Sequence, residues 1–261
     1  MLNKLIKYDF KWINKVMYIY FIIMFLITIA VKIIESLEQT LFLVIVDKIA
    51  SGMFIGCAIS IIITCLMRIW SRFIQNVYKD ESYLTHTLPV TKNEILNSKI
   101  ISSIISLILS SLVILICIAF IYLNDSTIET IKVMYKSLVD VYNNGFAILF
   151  IIGIVMLILL EIIYLIMTGI FGIIVGHRFN NHKIIKSIIV GIVSYGVLSA
   201  VSLIILGILS QTANFEIVAS GFPDIKTIKI MGITSISIYL VYDLLYYFAA
   251  KALLNKGVNV E

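Results

Sequence analysis

Acidic residues inside long apolar runs are the side chains of this sequence best suited to chemistry. Glu161 is followed by Tyr164 and Thr168 at i+3 and i+7, which places all three on one face of a helix. Asp243 lies in the last apolar run, on one face with Tyr239, Tyr246 and Tyr247. A carboxylate at mid-bilayer is costly unless it is paired, hydrated or protonated, so it faces a cavity or a bundle interior. Glu161, Tyr164, Thr168 and Asp243 are candidates for a translocation path, a proton relay or hydrogen bonds between helices, and we expect Asp243 to pair with a tyrosine or a lysine.

The motifs of common enzymes are absent from the sequence. None of the three histidines, His86, His177 and His182, has zinc-ligand spacing to a cysteine or carboxylate, and neither HExxH nor GxSxG occurs. The dipeptide Gly-Lys is also absent, which excludes a Walker A loop. We therefore expect no catalytic residue and no cofactor or metal bound by this chain. If ATP drives its function, ATP and Mg²⁺ bind to another protein.

The composition indicates a protein that lies in lipid. Of the 261 residues, 61% are hydrophobic and 13% are charged, whereas soluble domains carry about 25% charged and 45–50% apolar residues. A chain of this length has no interior large enough to bury that excess. The net charge of +5 comes from residues spread along the chain, so it does not indicate a nucleic-acid partner.

Six apolar stretches are long enough to cross a bilayer, which takes about 20 helical residues. They cover residues 16–31, 49–67, 100–123, 146–175, 184–209 and 228–250. The sequence thus predicts an all-α integral membrane protein with one six-helix transmembrane domain over residues 16–261. The spans must position Glu161 and Asp243.

The distribution of lysine and arginine predicts that both termini are cytoplasmic. With that orientation, 14 of the 20 positive residues lie on the inner side, in accord with the positive-inside rule. The inner group is Lys4, Lys7, Lys11, Lys15, Arg68, Arg72, Lys79, Lys92, Lys99, Arg178, Lys183, Lys186, Lys251 and Lys256, and the outer group is Lys32, Lys48, Lys132, Lys136, Lys226 and Lys229.

Residues 1–15 have the pattern of an amphipathic helix that lies in the lipid headgroup layer. Four lysines recur at spacings of 3, 4 and 4 residues, and apolar side chains occupy another face. The lysines are Lys4, Lys7, Lys11 and Lys15, and the apolar residues are Leu2, Leu5, Ile6, Trp12 and Ile13. A charged flank without such a helix is the alternative.

The inner connection between the second and third spans carries the most information. Apolar residues at helical spacing predict that the second span continues past Arg68. Thr91 and Glu94 form a capping box, so we expect the third helix to begin near Lys92. Two helices that project inward and are joined by a short turn make a surface suited to a soluble partner. A solvated loop is the alternative.

Small residues indicate where helices approach each other closely. Serines repeat at every fourth position from Ser98 to Ser110, and two GxxxG pairs occur in other spans. These pairs are Gly52 with Gly56 and Gly172 with Gly176. The outer loop 124–145 predicts an amphipathic helix on the membrane surface, opened by a capping box at Ser126.

The stretch Tyr78-Lys-Asp-Glu-Ser-Tyr-Leu-Thr-His-Thr-Leu-Pro-Val-Thr-Lys-Asn-Glu-Ile-Leu-Asn-Ser-Lys99 resembles the segment between the second and third helices of type-2 ABC transporter permeases from Gram-positive bacteria. That segment often carries an acidic run rich in tyrosine or phenylalanine, then Leu-Pro and a small hydroxyl residue. The layout of six spans and the N-terminal helix resemble the family over nearly the whole chain.

The resemblance implies a permease subunit in a bacterial cell membrane, paired with a second copy and with two cytoplasmic ATP-binding subunits. It also implies that residues 79–91 hold a coupling helix that binds the ATPase. The residues carried over to that role are Asp80, Glu81, Tyr83, Leu84, Leu88 and Pro89. The family exports antimicrobial peptides, peptide toxins, drugs and polysaccharides. The compact outer loops disfavour the members of the family that have large extracellular domains. Among the substrates of the family, we expect amphipathic peptides.

Two other functions remain open from the sequence. A secondary transporter or channel would bind or relay cations through Glu161 and Asp243. An immunity or assembly protein would bind a peptide without transporting it.

Overall fold

The computed structural model describes residues 2–37, 40–87, 89–212 and 224–257. The helices of these residues begin and end as follows: α1 Leu2–Ser36, α2 Leu41–Val77, α3 Ser82–Thr87, α4 Lys92–Tyr122, α5 Asp125–Tyr142, α6 Asn144–Gly176, α7 Lys183–Thr212 and α8 Ile225–Asn255. No strand occurs in the described part of the chain.

Six of these helices, α1, α2, α4, α6, α7 and α8, are long and apolar enough to cross a membrane. The prediction of an all-helical protein with six candidate spans is therefore confirmed. The helices are longer than the predicted spans because polar residues at their ends continue the helical pattern. α2, with 37 residues, extends about 55 Å at 1.5 Å per residue, against a hydrocarbon core of about 30 Å.

The N-terminal residues belong to a longer helix. α1 runs from Leu2 to Ser36 without a break at residue 15, so residues 1–15 form no separate element. The lysines at positions 4, 7, 11 and 15 are exposed, as the amphipathic pattern predicts. Their location in the headgroup layer stays a prediction.

Residues 1–130 form one compact unit, called unit 1, in which α1 packs against α2 and α4. The predicted serine face of α4 is confirmed as a close contact: Ser98, Ser102, Ser106 and Ser110 have no exposed surface. The amide of Asn14 on α1 donates a hydrogen bond of 2.9 Å to the hydroxyl of Ser106. Small side chains thus let α1 and α4 approach each other, as they do in other membrane bundles.

Residues 131–261 form the second compact unit, called unit 2, in which α6 packs against α7 and α8. A Cβ atom on Gly172 would lie 2.7 Å from the backbone oxygen of Ser187 and 2.8 Å from the Cα of Gly191. A Cβ on Gly176 would overlap Ser187. The predicted close contact at this GxxxG pair is therefore confirmed.

Two expectations about local structure are wrong. Gly52 and Gly56 have no atom within 4 Å of a Cβ position, so this GxxxG pair makes no close contact in the described part of the chain. α5 is a helix, as predicted, but it begins at Asp125. Ser126 therefore lies inside the helix, where its carbonyl accepts a bond from Thr130, and it is not the cap.

Candidate functional site

The connection between α2 and α4 contains a short helix held between two well-defined helix ends. α2 continues to Val77 and α4 begins at Lys92, as the sequence predicts. The capping box is formed in both directions: the backbone amide of Thr91 donates to Glu94 Oε2 at 2.8 Å, and the amide of Glu94 donates to Thr91 Oγ1 at 3.2 Å. This reciprocal cap fixes the start of α4.

α3 has a buried side and an exposed side. Ser82 and Thr85 are buried, and the hydroxyl of Thr85 donates to the carbonyl of Glu81. Tyr83 and Leu84 are 66% and 54% exposed. The helix therefore rests on unit 1 through small polar side chains and presents an aromatic and an aliphatic side chain outward.

A buried charge network joins α1, α2 and α4 beside this connection. Asp9 Oδ1 accepts a bond of 2.6 Å from Lys99 Nζ and one of 3.0 Å from Arg72 Nε. The side chains of Asp9, Arg72 and Lys99 are only 3%, 11% and 7% exposed. Lys99 also donates to Asn76 Oδ1. Each buried charge thus has a charged partner, which offsets part of the cost of removing it from water.

Glu81 extends the network to the start of α3. Its Oε2 accepts a bond of 2.8 Å from Arg72 Nη1 and one of 2.5 Å from Asn76 Nδ2. The residue directly before α3 is therefore bonded to α2, and through Arg72 and Asn76 it is linked to Asp9 and Lys99. A displacement of α3 would therefore either break these bonds or move α2 with it.

A second contact fixes α1 to α2 in the same region. The guanidinium of Arg68 lies 3.6 Å from the centre of the Trp12 ring and donates a bond of 2.8 Å to the Trp12 carbonyl. Arg72 lies 5.1 Å from the same ring. Both arginines are therefore held by cation–π contacts as well as hydrogen bonds.

The residues predicted for coupling have different environments. Asp80 lies in the turn before α3 and Pro89 follows α3, and both are exposed. Glu81 is bonded to α2, whereas Tyr83 and Leu84 face outward. Leu88 lies outside the described residues.

In unit 2, three of the four polar residues predicted within the spans, Glu161, Tyr164 and Asp243, belong to a tyrosine–carboxylate cluster. The ring of Tyr164, on α6, lies within about 6 Å of four other tyrosine rings, on α7 and α8. The cluster consists of Tyr164, Tyr195, Tyr239, Tyr242, Tyr246, Glu161 and Asp243. The hydroxyl of Tyr195 donates a bond of 3.0 Å to Glu161 Oε1, and that of Tyr164 donates one of 3.1 Å to the Tyr195 carbonyl.

Several polar atoms of this cluster have no partner. Both carboxylate oxygens of Asp243, Oε2 of Glu161 and the hydroxyl of Tyr242 are buried and form no hydrogen bond with any described residue. The expectation that Asp243 pairs with a tyrosine or lysine is therefore wrong for the described part of the chain. Buried polar atoms are rarely left without partners, so these atoms make the cluster a candidate site for a ligand.

Thr168 does not join the cluster. Its hydroxyl donates to the carbonyls of Tyr164 and Leu165 on its own helix, which is how a buried threonine in a helix usually bonds. Among the described residues, no group of three or more His, Cys, Asp or Glu side chains lies together as metal ligands do.

Sequence reasoning missed the Asp9–Lys99 pair and the contributions of Asn76, Tyr195 and Tyr242. A signal for Asp9 was present: it follows Leu2, Leu5 and Ile6 at helical spacing, so it lies on the apolar face of α1. A carboxylate on such a face needs a partner. For Lys99 the sequence predicts only a position on the inner side of the membrane.

When the chain is compared with known proteins, no family model matches it, and neither the curated proteins nor the solved structures contain a significant match.

Proposed function

We propose that this chain is the permease subunit of an ATP-driven exporter in a bacterial cell membrane. In this proposal both termini and the α2–α4 connection are cytoplasmic, and a separate ATP-binding subunit binds α3. Two permease chains and two ATPase subunits form the transporter, and amphipathic peptides, toxins or drugs are its substrates. ATP and Mg²⁺ bind to the partner, because the sequence lacks a Walker A loop.

The single observation that carries the proposal is the construction of the α2–α4 connection. A helix of six residues exposes Tyr83 and Leu84, while the preceding Glu81 is bonded to Arg72 and Asn76. Large exposed aromatic and aliphatic side chains in a polar segment are typical of protein interfaces. A coupling element must also be attached to the long helices, and the bonds of Glu81 to α2 attach α3 in this way.

The proposed coupling follows from the bonds around Glu81. A force on α3 reaches Arg72 on α2 through Glu81, and reaches Asp9 on α1 and Lys99 on α4 through the buried charges. Packed helices and ion pairs of this kind move together or rearrange between discrete states. In this proposal, closure of the ATPase would therefore tilt three spans of unit 1 together.

The test uses the full chain coexpressed with an ATPase encoded beside its gene. The double variant Tyr83→Ala, Leu84→Ala should weaken copurification of the ATPase. An exposed aromatic side chain at the centre of an interface contributes about 2 kcal/mol, which is roughly a thirtyfold change in affinity. The ATP hydrolysis rate of the complex should lose its dependence on the permease, and so should that of the variant with Leu88 and Pro89 replaced.

Tyr8→Ala is the matched control, because Tyr8 on α1 is 67% exposed, nearly the same as Tyr83. It should leave assembly and ATP hydrolysis unchanged. An ATPase that copurifies equally well with the Tyr83 and Leu84 variant would refute docking at α3. The absence of any ATPase partner would refute the exporter.

A secondary transporter or channel is the second candidate, and the unpartnered carboxylate of Asp243 favours it. It predicts gradient-driven flux through this chain alone in liposomes, which Glu161→Gln would abolish. Flux that requires the ATPase and nucleotide would exclude this candidate. A peptide-binding immunity protein would bind peptide with neither flux nor an ATPase.

A further inference from the structure

The buried aspartates of the two compact units differ in whether they have a partner. In unit 1, Asp9 is bonded to Lys99 and Arg72. In unit 2, Asp243 is 91% buried, since 9% of its surface is exposed, and neither of its oxygens has a partner among the described residues. Among the described residues, the second unit therefore buries a carboxylate without supplying a hydrogen-bond donor or a positive charge to it.

Along the described helices α6, α7 and α8, no basic residue lies close to Asp243 in helix position. Glu161 is the only charged residue of α6. The basic residues of α8 nearest to Asp243 are Lys229 and Lys251, and Lys251, eight residues away, is displaced about 12 Å along the helix. The basic residues of α7, Lys183 and Lys186, lie in its first turns. A positive partner must come from outside these helices.

The walls of the cluster are suited to an organic cation. Asp243 lies on the same face of α8 as Tyr239 and Tyr246, at spacings of four and three residues, and Tyr242 directly precedes it. The faces of tyrosine rings attract ammonium groups, and the attraction is strongest where water is excluded. Mg²⁺ and Ca²⁺ prefer six or more oxygen ligands, which two carboxylates among aromatic rings do not provide.

We propose that the tyrosine–carboxylate cluster of α6, α7 and α8 binds the positively charged group of a hydrophobic cation, such as an amine on an amphipathic peptide or drug. Asp243 and Glu161 neutralise the charge, and the tyrosine rings enclose its apolar substituents. The cluster is reachable through Tyr195, which is 37% exposed. A role of the site in export rests on the proposed function, but binding to it needs only this chain.

The test measures equilibrium binding of radiolabelled tetraphenylphosphonium to the purified full chain in lipid nanodiscs. This probe carries a permanent positive charge within a shell of aromatic rings. We expect saturable binding, which Asp243→Asn and Glu161→Gln each weaken at least tenfold. Tetraphenylborate, an anion of the same shape, should not compete. Asp140→Asn, at an exposed position of α5, changes the net charge equally and should leave binding unchanged.

Three results would overturn the proposal: no saturable binding, equal binding by both carboxylate variants, or equal competition by tetraphenylborate. Elution from a sizing column and thermal melting show whether each variant is folded. If one carboxylate variant is not folded, the other variant and the competition by tetraphenylborate decide whether the proposal stands. Because no ATPase is present, failure of ATPase docking at α3 would not alter this measurement, and loss of binding would leave docking unaffected.

Discussion

Asp9 is surrounded in the sequence by lysines, yet its carboxylate points inward. It lies on the face of α1 that packs against α2 and α4, where Lys99 Nζ is 2.6 Å away. Lysines 4, 7, 11 and 15 remain exposed. A buried charge is tolerated when it is paired and hydrogen-bonded. The buried pair of Asp9 and Lys99 is therefore part of the helix packing, whereas the four exposed lysines are not.

Asp9→Asn should destabilise the chain, because Lys99 would keep a buried positive charge without an anion and Arg72 would keep only Glu81 as a partner. Removing one partner of a buried pair costs about 3–5 kcal/mol. The free energy of unfolding in detergent measures the loss. Asp80→Asn, at an exposed position, should change it by less than about 0.5 kcal/mol.

A double-mutant cycle isolates the pair itself. Lys99→Met alone leaves Asp9 bonded to Arg72, and the combination with Asp9→Asn should cost less than the sum of the two single losses. Additive losses would mean that Asp9 and Lys99 contribute independently, and the network would not be a mechanical link.

At the scale of elements, the sequence predicts the helices better than their contacts. Each long apolar run becomes a helix, and the local capping box at Thr91 forms as expected. Gly52–Gly56 and Gly172–Gly176 have the same spacing, yet among the described residues only the second pair makes a close contact. The difference depends on the rotation of each helix about its axis, which is set by distant residues such as Ser187 and Gly191.

Gly172→Ala should destabilise the α6–α7 contact. The new Cβ would lie 2.7 Å from the Ser187 carbonyl oxygen, and a backbone atom cannot move aside without separating the helices. Such overpacking costs about 1–3 kcal/mol, which thermal unfolding would report as a lower midpoint.

Gly153→Ala is the control on the same helix, because nothing lies within 4 Å of its Cβ position. It should be neutral or slightly stabilising, since alanine favours helix by about 1 kcal/mol over glycine. Equal effects of the two substitutions would contradict the close packing at Gly172.

At the scale of the whole molecule, each compact unit contains three long helices, and the first of them packs against the other two. Composition and hydropathy predict the lipid environment and the six helices, because they are properties of single segments. The charge network and the tyrosine–carboxylate cluster could not be predicted in the same way. Both bring together residues from three separate helices, and only tertiary packing decides which side chains meet.

The proposed function requires that α3 faces the cytosol, where the ATPase would bind it. The direct measurement labels Tyr83→Cys with a membrane-impermeant maleimide, in a chain whose Cys57, Cys65 and Cys117 are replaced by alanine. Lys136→Cys on α5 serves as the opposite-side control. With α3 in the cytosol, Tyr83→Cys should be unlabelled in intact cells and labelled in inverted vesicles. Labelling of Tyr83→Cys from outside intact cells would contradict this location of α3.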